Sequence, residues 1–183
     1  MSEFTLTTIQ KETLMREALA EATQGVAEGE APIDCVVARP AGGEVKIVAR
    51  GHNRMNALQN KVAHTEIVTF FDAARKEGEP PVLPLDCRDA ILVSTLEPCV
   101  MCLGAAMEAG VQTVLFGLQA PADNGTQRVK PPESPESSAP TIEGGILAAE
   151  SRRMFVEWLR GKEGTEQAQF VEQLLALTAD KSP

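Results

Sequence analysis

The chain has 183 residues, of which 43% are hydrophobic and only 4% aromatic, with no tyrosine, and its net charge is −9. That length suits one domain, residues 1–183, around a single core, and no apolar run approaches the length of a membrane span. The acidic balance and the scarcity of aromatics weigh against a surface built to neutralise phosphates or stack many bases, so a small substrate is favoured over a polynucleotide.

Met1-Ser2-Glu3-Phe4-Thr5 lacks a basic segment followed by an apolar one, and no signal peptide is expected. Thr7-Thr8-Ile9-Gln10 resembles a capping box, and Ile9, Leu14, Ala18, Leu19, Ala22 and Val26 then recur at helical spacing. A helix over 8–28 follows, ending near Gly29. Strands are expected over 33–39 and 45–50, joined through Pro40-Ala41-Gly42-Gly43. Residues 63–76 read as a helix, 89–94 as a buried strand, 98–109 as a helix and 112–117 as a strand. The Pro/Ser-rich stretch 130–140 is expected to be a mobile loop. A short strand near Thr141 and Ile142 follows, then helices within 145–179. This alternation predicts an α/β fold, a mixed sheet with helices on both faces.

Two short motifs carry the chemistry, His64-Thr65-Glu66 and Pro98-Cys99-Val100-Met101-Cys102. A catalytic zinc needs three protein ligands and one open position for water, and His64, Cys99 and Cys102 supply the three, for one Zn2+ per chain. The cysteines lie three apart, on one face of a helix, with Pro98 suited to its first position. The positive end of that helix favours the thiolates that bind metal. Glu66 would close the site as a fourth ligand. Two residues beyond His64, it is placed instead to carry protons to a ring nitrogen and a departing amine. A redox pair or a four-ligand structural site are the blander readings. The first leaves His64-Thr65-Glu66 without a reason, and the second lacks a partnered fourth ligand among Cys35, Cys87 and His52. The four cysteines, two of them assigned to metal, fit a reducing cytoplasm.

Five blocks, Met15–Leu19, Gly29–Ile33, Gly51–Arg54, Ala63–Ile67 and Leu96–Cys102, resemble the cytidine and deoxycytidylate deaminase superfamily. The nearest branches are the bacterial tRNA adenosine deaminases and the guanine deaminases. The resemblance implies a three-layer α/β/α sandwich on a mixed five-stranded sheet, a homodimer, and zinc-dependent conversion of an exocyclic amine to a carbonyl with release of ammonia. It also implies that Asn53 hydrogen-bonds the base or sugar, and that backbone groups around Leu96 and Glu97 contact the substrate. His52 lacks a shuttle partner and reads as structural.

One departure from the family suggests a substrate. Relatives commonly carry Gly where this chain has Asp34, and a carboxylate in an apolar strand is costly to bury unpaired, so Asp34 is expected to accept hydrogen bonds from a ring amino group. Guanine-like rings offer such donors beside a carbonyl. Basic residues are also thin after residue 117, with Arg128, Lys130, Arg152 and Arg153 expected in surface salt bridges rather than in a patch. The leading expectation is therefore a cytoplasmic zinc hydrolase acting on a small purine-like, preferably guanine-like, base or nucleoside. The alternatives are a tRNA wobble adenosine deaminase forming inosine, and a non-catalytic zinc-binding scaffold.

Overall fold

The computed structural model describes residues 5–74, 87–135, 137–162 and 164–179. Helix α1 (Thr8–Ala27) starts at a reciprocal capping box: Thr7 Oγ1 accepts from the Gln10 amide at 3.3 Å and Gln10 Oε1 accepts from the Thr7 amide at 2.9 Å. Gly29, at φ +90°, turns the chain out of it. Strands β1 (Asp34–Ala41) and β2 (Glu44–His52) form the expected antiparallel hairpin, turning at Gly42 and Gly43, both with positive φ. Then come α2 (Thr65–Ala74), β3 (Ile91–Leu96), α3 (Val100–Glu108), β4 (Thr113–Leu118), β5 (Thr141–Gly144), α4 (Ala148–Leu159) and α5 (Glu166–Leu177). The expected extension of the second helix to Lys76 lies outside the described residues. Described residues between 130 and 140 form neither strand nor helix.

The sheet runs β2-β1-β3-β4-β5, antiparallel between β2, β1 and β3 and parallel from β3 to β5, which is the expected mixed five-stranded arrangement. Alternation along each strand divides the core in two. Val36, Ala38, Ile91, Val93 and Leu115 pack with Leu14, Met15 and Ala18 of α1. Cys35, Val37, Leu92 and Val114 face the other way, onto Leu103, Ala106 and Met107 of α3. Strand β3 is buried at every position, so its sequence does not alternate; apart from Ser94 and Thr95 it is apolar on both faces. Helix α4 packs on the α1 side, with Phe155 and Trp158 joining Leu96 and Leu118, and α5 covers it through Val171 and Leu174.

This parity corrects the expectation for Asp34. Its side chain lies on the α1 face, opposite Cys35, and closes on Gly25, where an added Cβ would stand 2.9 Å from Asp34 Oδ1 and 2.9 Å from His52 Cβ. Only glycine permits α1 to approach so near. His52 is structural, as expected: its ring nitrogens reach Glu21 at 3.1 Å and Glu28 at 3.0 Å, tying the end of β2 to α1. Asp34 is fully buried, and neither of its carboxyl oxygens has a hydrogen-bond partner among the described residues. Burial, and after it the nearby carboxylates of Glu21, Glu66 and Glu30, raise its pKa well above the usual carboxylate range.

The folded chain therefore holds a proton that the unfolded chain releases near pH 4, so stability from this group is full below roughly pH 4 and falls as pH rises towards the elevated value. Asp34→Asn removes that loss. Urea unfolding is expected to find the variant more stable than the parent at pH 7 by about 1–3 kcal/mol, with the gap closing below pH 4. Parallel stability curves across that range would contradict this account of Asp34.

Candidate metal centre and substrate pocket

The two motifs meet because two helices begin at the same place. His64 precedes α2 and its carbonyl accepts the Val68 amide at 3.0 Å, so it stands at the helix entrance. Cys99 is the N-cap of α3, with extended backbone (φ −68°, ψ 174°), and its carbonyl accepts the Leu103 amide at 2.9 Å. Cys102 follows in the first turn, fully buried. Pro98 was expected at the first helical position and instead lies one residue before the cap. There its carbonyl is free to accept the Gly125 amide at 2.9 Å from a loop above.

The donor atoms of His64, Cys99 and Cys102 lie within 4.8 Å of one another. His64 Nδ1 is 3.6 Å from Cys99 Sγ and 3.7 Å from Cys102 Sγ. Zn–S and Zn–N bonds of ordinary length, set at a tetrahedral angle, give an N···S edge of about 3.6 Å. The residues therefore fit zinc in spacing and in donor type. Electrostatics agree: a hydrogen bond from Cys102, reinforced by His64, draws the Cys99 thiol down to about 4, so this sulfur is a ready thiolate. The same contact and burial hold the Cys102 thiol up, and the hydrogen bond to Cys99 raises His64.

Glu66 sits in the first turn of α2, 2% exposed, with Ser94 Oγ of β3 donating to its Oε1 at 3.2 Å. Burial raises its pKa. A carboxyl placed beside a metal site with a raised pKa can both take and return a proton. Asn53 is also buried, and its Oδ1 accepts the Thr65 amide at 3.2 Å, capping α2, while Nδ2 faces Met55 Sδ at 3.5 Å. The segment between β2 and α2 is held from beneath by Glu30, whose Oε1 accepts the amides of Asn56 at 2.7 Å and Ala57 at 3.0 Å.

A cavity of about 240 Å³ opens over His64, lined by Ala31, Ile33, Asn53, Asp123 and Phe170, with Lys61 and Glu166 also on its wall. Sequence reasoning missed Asp123. It stands in the turn-rich run Ala122-Asp123-Asn124-Gly125 after the C-terminal end of β4, the edge where α/β sheets build sites, and that position was the available signal. Burial, followed by the Cys99 charge, raises its pKa, whereas His64 and Arg128 pull it down.

Leu96 and Glu97, expected to offer backbone groups to the substrate, are not among the residues lining this cavity. Leu96 packs into the apolar cluster with Ala31, Leu118 and Ala120, and the Glu97 amide donates to Leu118 O at 2.8 Å. The Glu97 carboxylate accepts the Ala120 amide at 2.9 Å and the Thr126 hydroxyl, so it fastens both ends of the loop that presents Asp123. Gly125 completes the loop. A Cβ there would lie 2.6 Å from the carbonyl oxygens of Pro98 and Cys99, so only glycine lets the loop rest on the start of α3. Of the basic residues expected in surface salt bridges, Arg153 pairs with Glu157, whereas Arg128 donates to Ala122 O and Arg152 to Leu175 O.

The family model of the cytidine and deoxycytidylate deaminase zinc-binding region matches residues 8–118. The tRNA-specific adenosine deaminase of Streptococcus pyogenes serotype M1 is 29% identical over 168 residues, 91% of this chain and 92% of that protein. The tRNA(Ile)-lysidine synthase of Deinococcus radiodurans is 35% identical over 144 residues, which is 78% of this chain but only 23% of that protein's length. A chain solved in work on A-to-I editing by tRNA:A34 deaminases superposes with a TM-score of 0.59 at 28% identity, covering 78% of this chain and 98% of its own. Guanine deaminase from Nitrosomonas europaea shares the fold, with a TM-score of 0.64 at 20% identity over 86% and 96% of the two chains. With three zinc donors at tetrahedral spacing inside the matched region, the chain belongs to the cytidine and deoxycytidylate zinc deaminase family.

Proposed function

We propose that this zinc deaminase converts adenosine in tRNA to inosine, the reaction its near-full-length streptococcal relative is named for. The observation that carries the reading is the open cavity over His64 combined with similarity spanning nine-tenths of both chains. The main argument for a guanine-like base rested on Asp34, and that side chain lies under α1 on the other face of the sheet. A free purine base is the second reading. It is favoured by the Asp123 carboxyl on the cavity wall, suited to a ring N–H or amine, and by the net charge of −9.

When bound, zinc acidifies water towards neutral pH and so supplies the nucleophile. Glu66 would take the first proton of the attacking water and give it to the ring nitrogen beside the amine-bearing carbon, then take the second proton from the oxygen now on that carbon and deliver it to the departing amine. Water enters, ammonia leaves, and a carbonyl replaces the amine. Asn53 Nδ2 donates to the base, its Oδ1 being already used at the start of α2. Asp123 accepts from the amine side, and its loop, fastened by Glu97, keeps it there. We also infer a homodimer, because Phe71 of α2 and Val100 of α3 leave apolar surface exposed on neighbouring helices; sedimentation at twice the chain mass is the expected result, and sedimentation at the single-chain mass would contradict it.

Inosine formation in an anticodon stem-loop, assayed beside ammonia release from guanine and adenine, separates the readings. The stem-loop is expected to be the substrate, with affinity falling as salt rises. Turnover of guanine with no stem-loop activity would select the second reading, and no turnover of any base would revive the scaffold. Glu66→Ala is expected to lower kcat by about 10²–10⁴-fold with zinc content unchanged. Asp123→Asn is expected to raise KM about tenfold with a smaller change in kcat. An unchanged KM would remove Asp123 from substrate binding.

A further inference from the structure

Strand β3 reads Ile91-Leu92-Val93-Ser94-Thr95-Leu96 and is buried throughout, so its two hydroxyls need a reason. A hydroxyl placed in such surroundings is costly unless it is hydrogen-bonded. Thr95 has a structural one: its Oγ1 accepts the Asp34 amide at 3.1 Å and donates to Pro32 O at 3.1 Å, closing the entry to β1. Ser94 points to the opposite face. Fully buried between its Cα partners Cys35 on β1 and Phe116 on β4, it donates to Glu66 Oε1 at 3.2 Å.

We infer that Ser94 is a positioning residue that fixes the carboxylate of Glu66 and thereby selects Oε2 as the oxygen that moves protons. This rests on the reading of Glu66 as the shuttle. The terminal torsion of a glutamate is broad, so burial alone does not set the plane of its carboxylate. A donor on one oxygen does. Cys102 and the backbone amide of Glu66 are also within hydrogen-bonding reach of this carboxyl, but the Cys102 sulfur is a candidate zinc donor, so Ser94 is the side-chain partner left to Glu66. The Ser94 hydroxyl comes from a central strand rather than a loop, and such an anchor holds an atom more closely than a mobile segment would. With Oε1 engaged by Ser94, Oε2 is the carboxylate oxygen free of that bond.

The test uses the zinc-loaded chain and four variants, Ser94→Ala, Ser94→Val, Ser94→Thr and Glu66→Ala. Valine and threonine match in volume and differ by the hydroxyl, which separates packing from hydrogen bonding. Ser94→Ala and Ser94→Val are expected to lower kcat about tenfold with KM within twofold of the parent, while Ser94→Thr restores most of kcat. Zinc content stays at one per chain in all four. A crystal structure of zinc-loaded Ser94→Ala is expected to show the Glu66 carboxylate rotated or split between two orientations; it needs no substrate and decides the matter even if the assayed bases are not turned over. Equal kcat in Ser94→Val and Ser94→Thr, or an unmoved Glu66 in that crystal structure, would overturn the role of Ser94. Full activity in Glu66→Ala would overturn the shuttle reading itself.

Discussion

Everything at this site depends on two helices starting within a bond's reach of each other. His64 stands at the entrance to α2 and Cys99 at the cap of α3, and the 3.6 Å between their donor atoms is set by strands lying behind both. Each helix end presents unpaired amides and positive partial charge, so two thiols and a carboxylate gathered there are electrostatically at home. The Cys99 thiol is drawn down to about 4 chiefly by the hydrogen bond from Cys102 and then by His64, with the Cys102 backbone amide adding to them, and the raised Glu66 carboxyl beside it is the contribution of burial. A site that needs a thiolate and a proton carrier together is met by placing both at one junction with different degrees of burial.

The supports around the junction are mostly polar groups used on backbone. Asn53 caps α2, Glu30 gathers the amides of Asn56 and Ala57, and Glu97 fastens the loop that brings Asp123 over the cavity. These carboxylates and amides are buried because the backbone they hold has no strand or helix partner of its own. Their chemistry resembles that of substrate-binding groups, but here each has a side-chain oxygen occupied by the chain itself. Glu97 is the clear case, since it touches the loop rather than the cavity.

The metal ligands and Glu66 were legible in the sequence because their spacing is local: two residues from His64 to Glu66 and three from Cys99 to Cys102 fix their relation within one helical turn. The elements were legible too, since capping signals, turn glycines and apolar runs are local. Asp34 was not, because Ile33 to Ala38 is apolar around it on both faces of a buried strand, and alternation cannot say which face looks at the site. Only the register of β1 against β2 and β3 decides that. Asp123 was hidden for a related reason: it reaches the cavity through a loop whose path is set by Glu97 and by the bare Cα of Gly125, contacts that join positions 23 and more residues apart.

The charge of the chain and its relatives pull the substrate in different directions, but both require the same open metal position beside Glu66. X-ray absorption at the zinc edge, on the purified chain with its metal content measured, tests that requirement most directly. The account predicts one zinc per chain with two sulfur neighbours near 2.3 Å and two nitrogen or oxygen neighbours near 2.0 Å, one of the latter exchangeable with added azide. A chain that binds no zinc, or a zinc closed by four protein ligands and indifferent to azide, would contradict it.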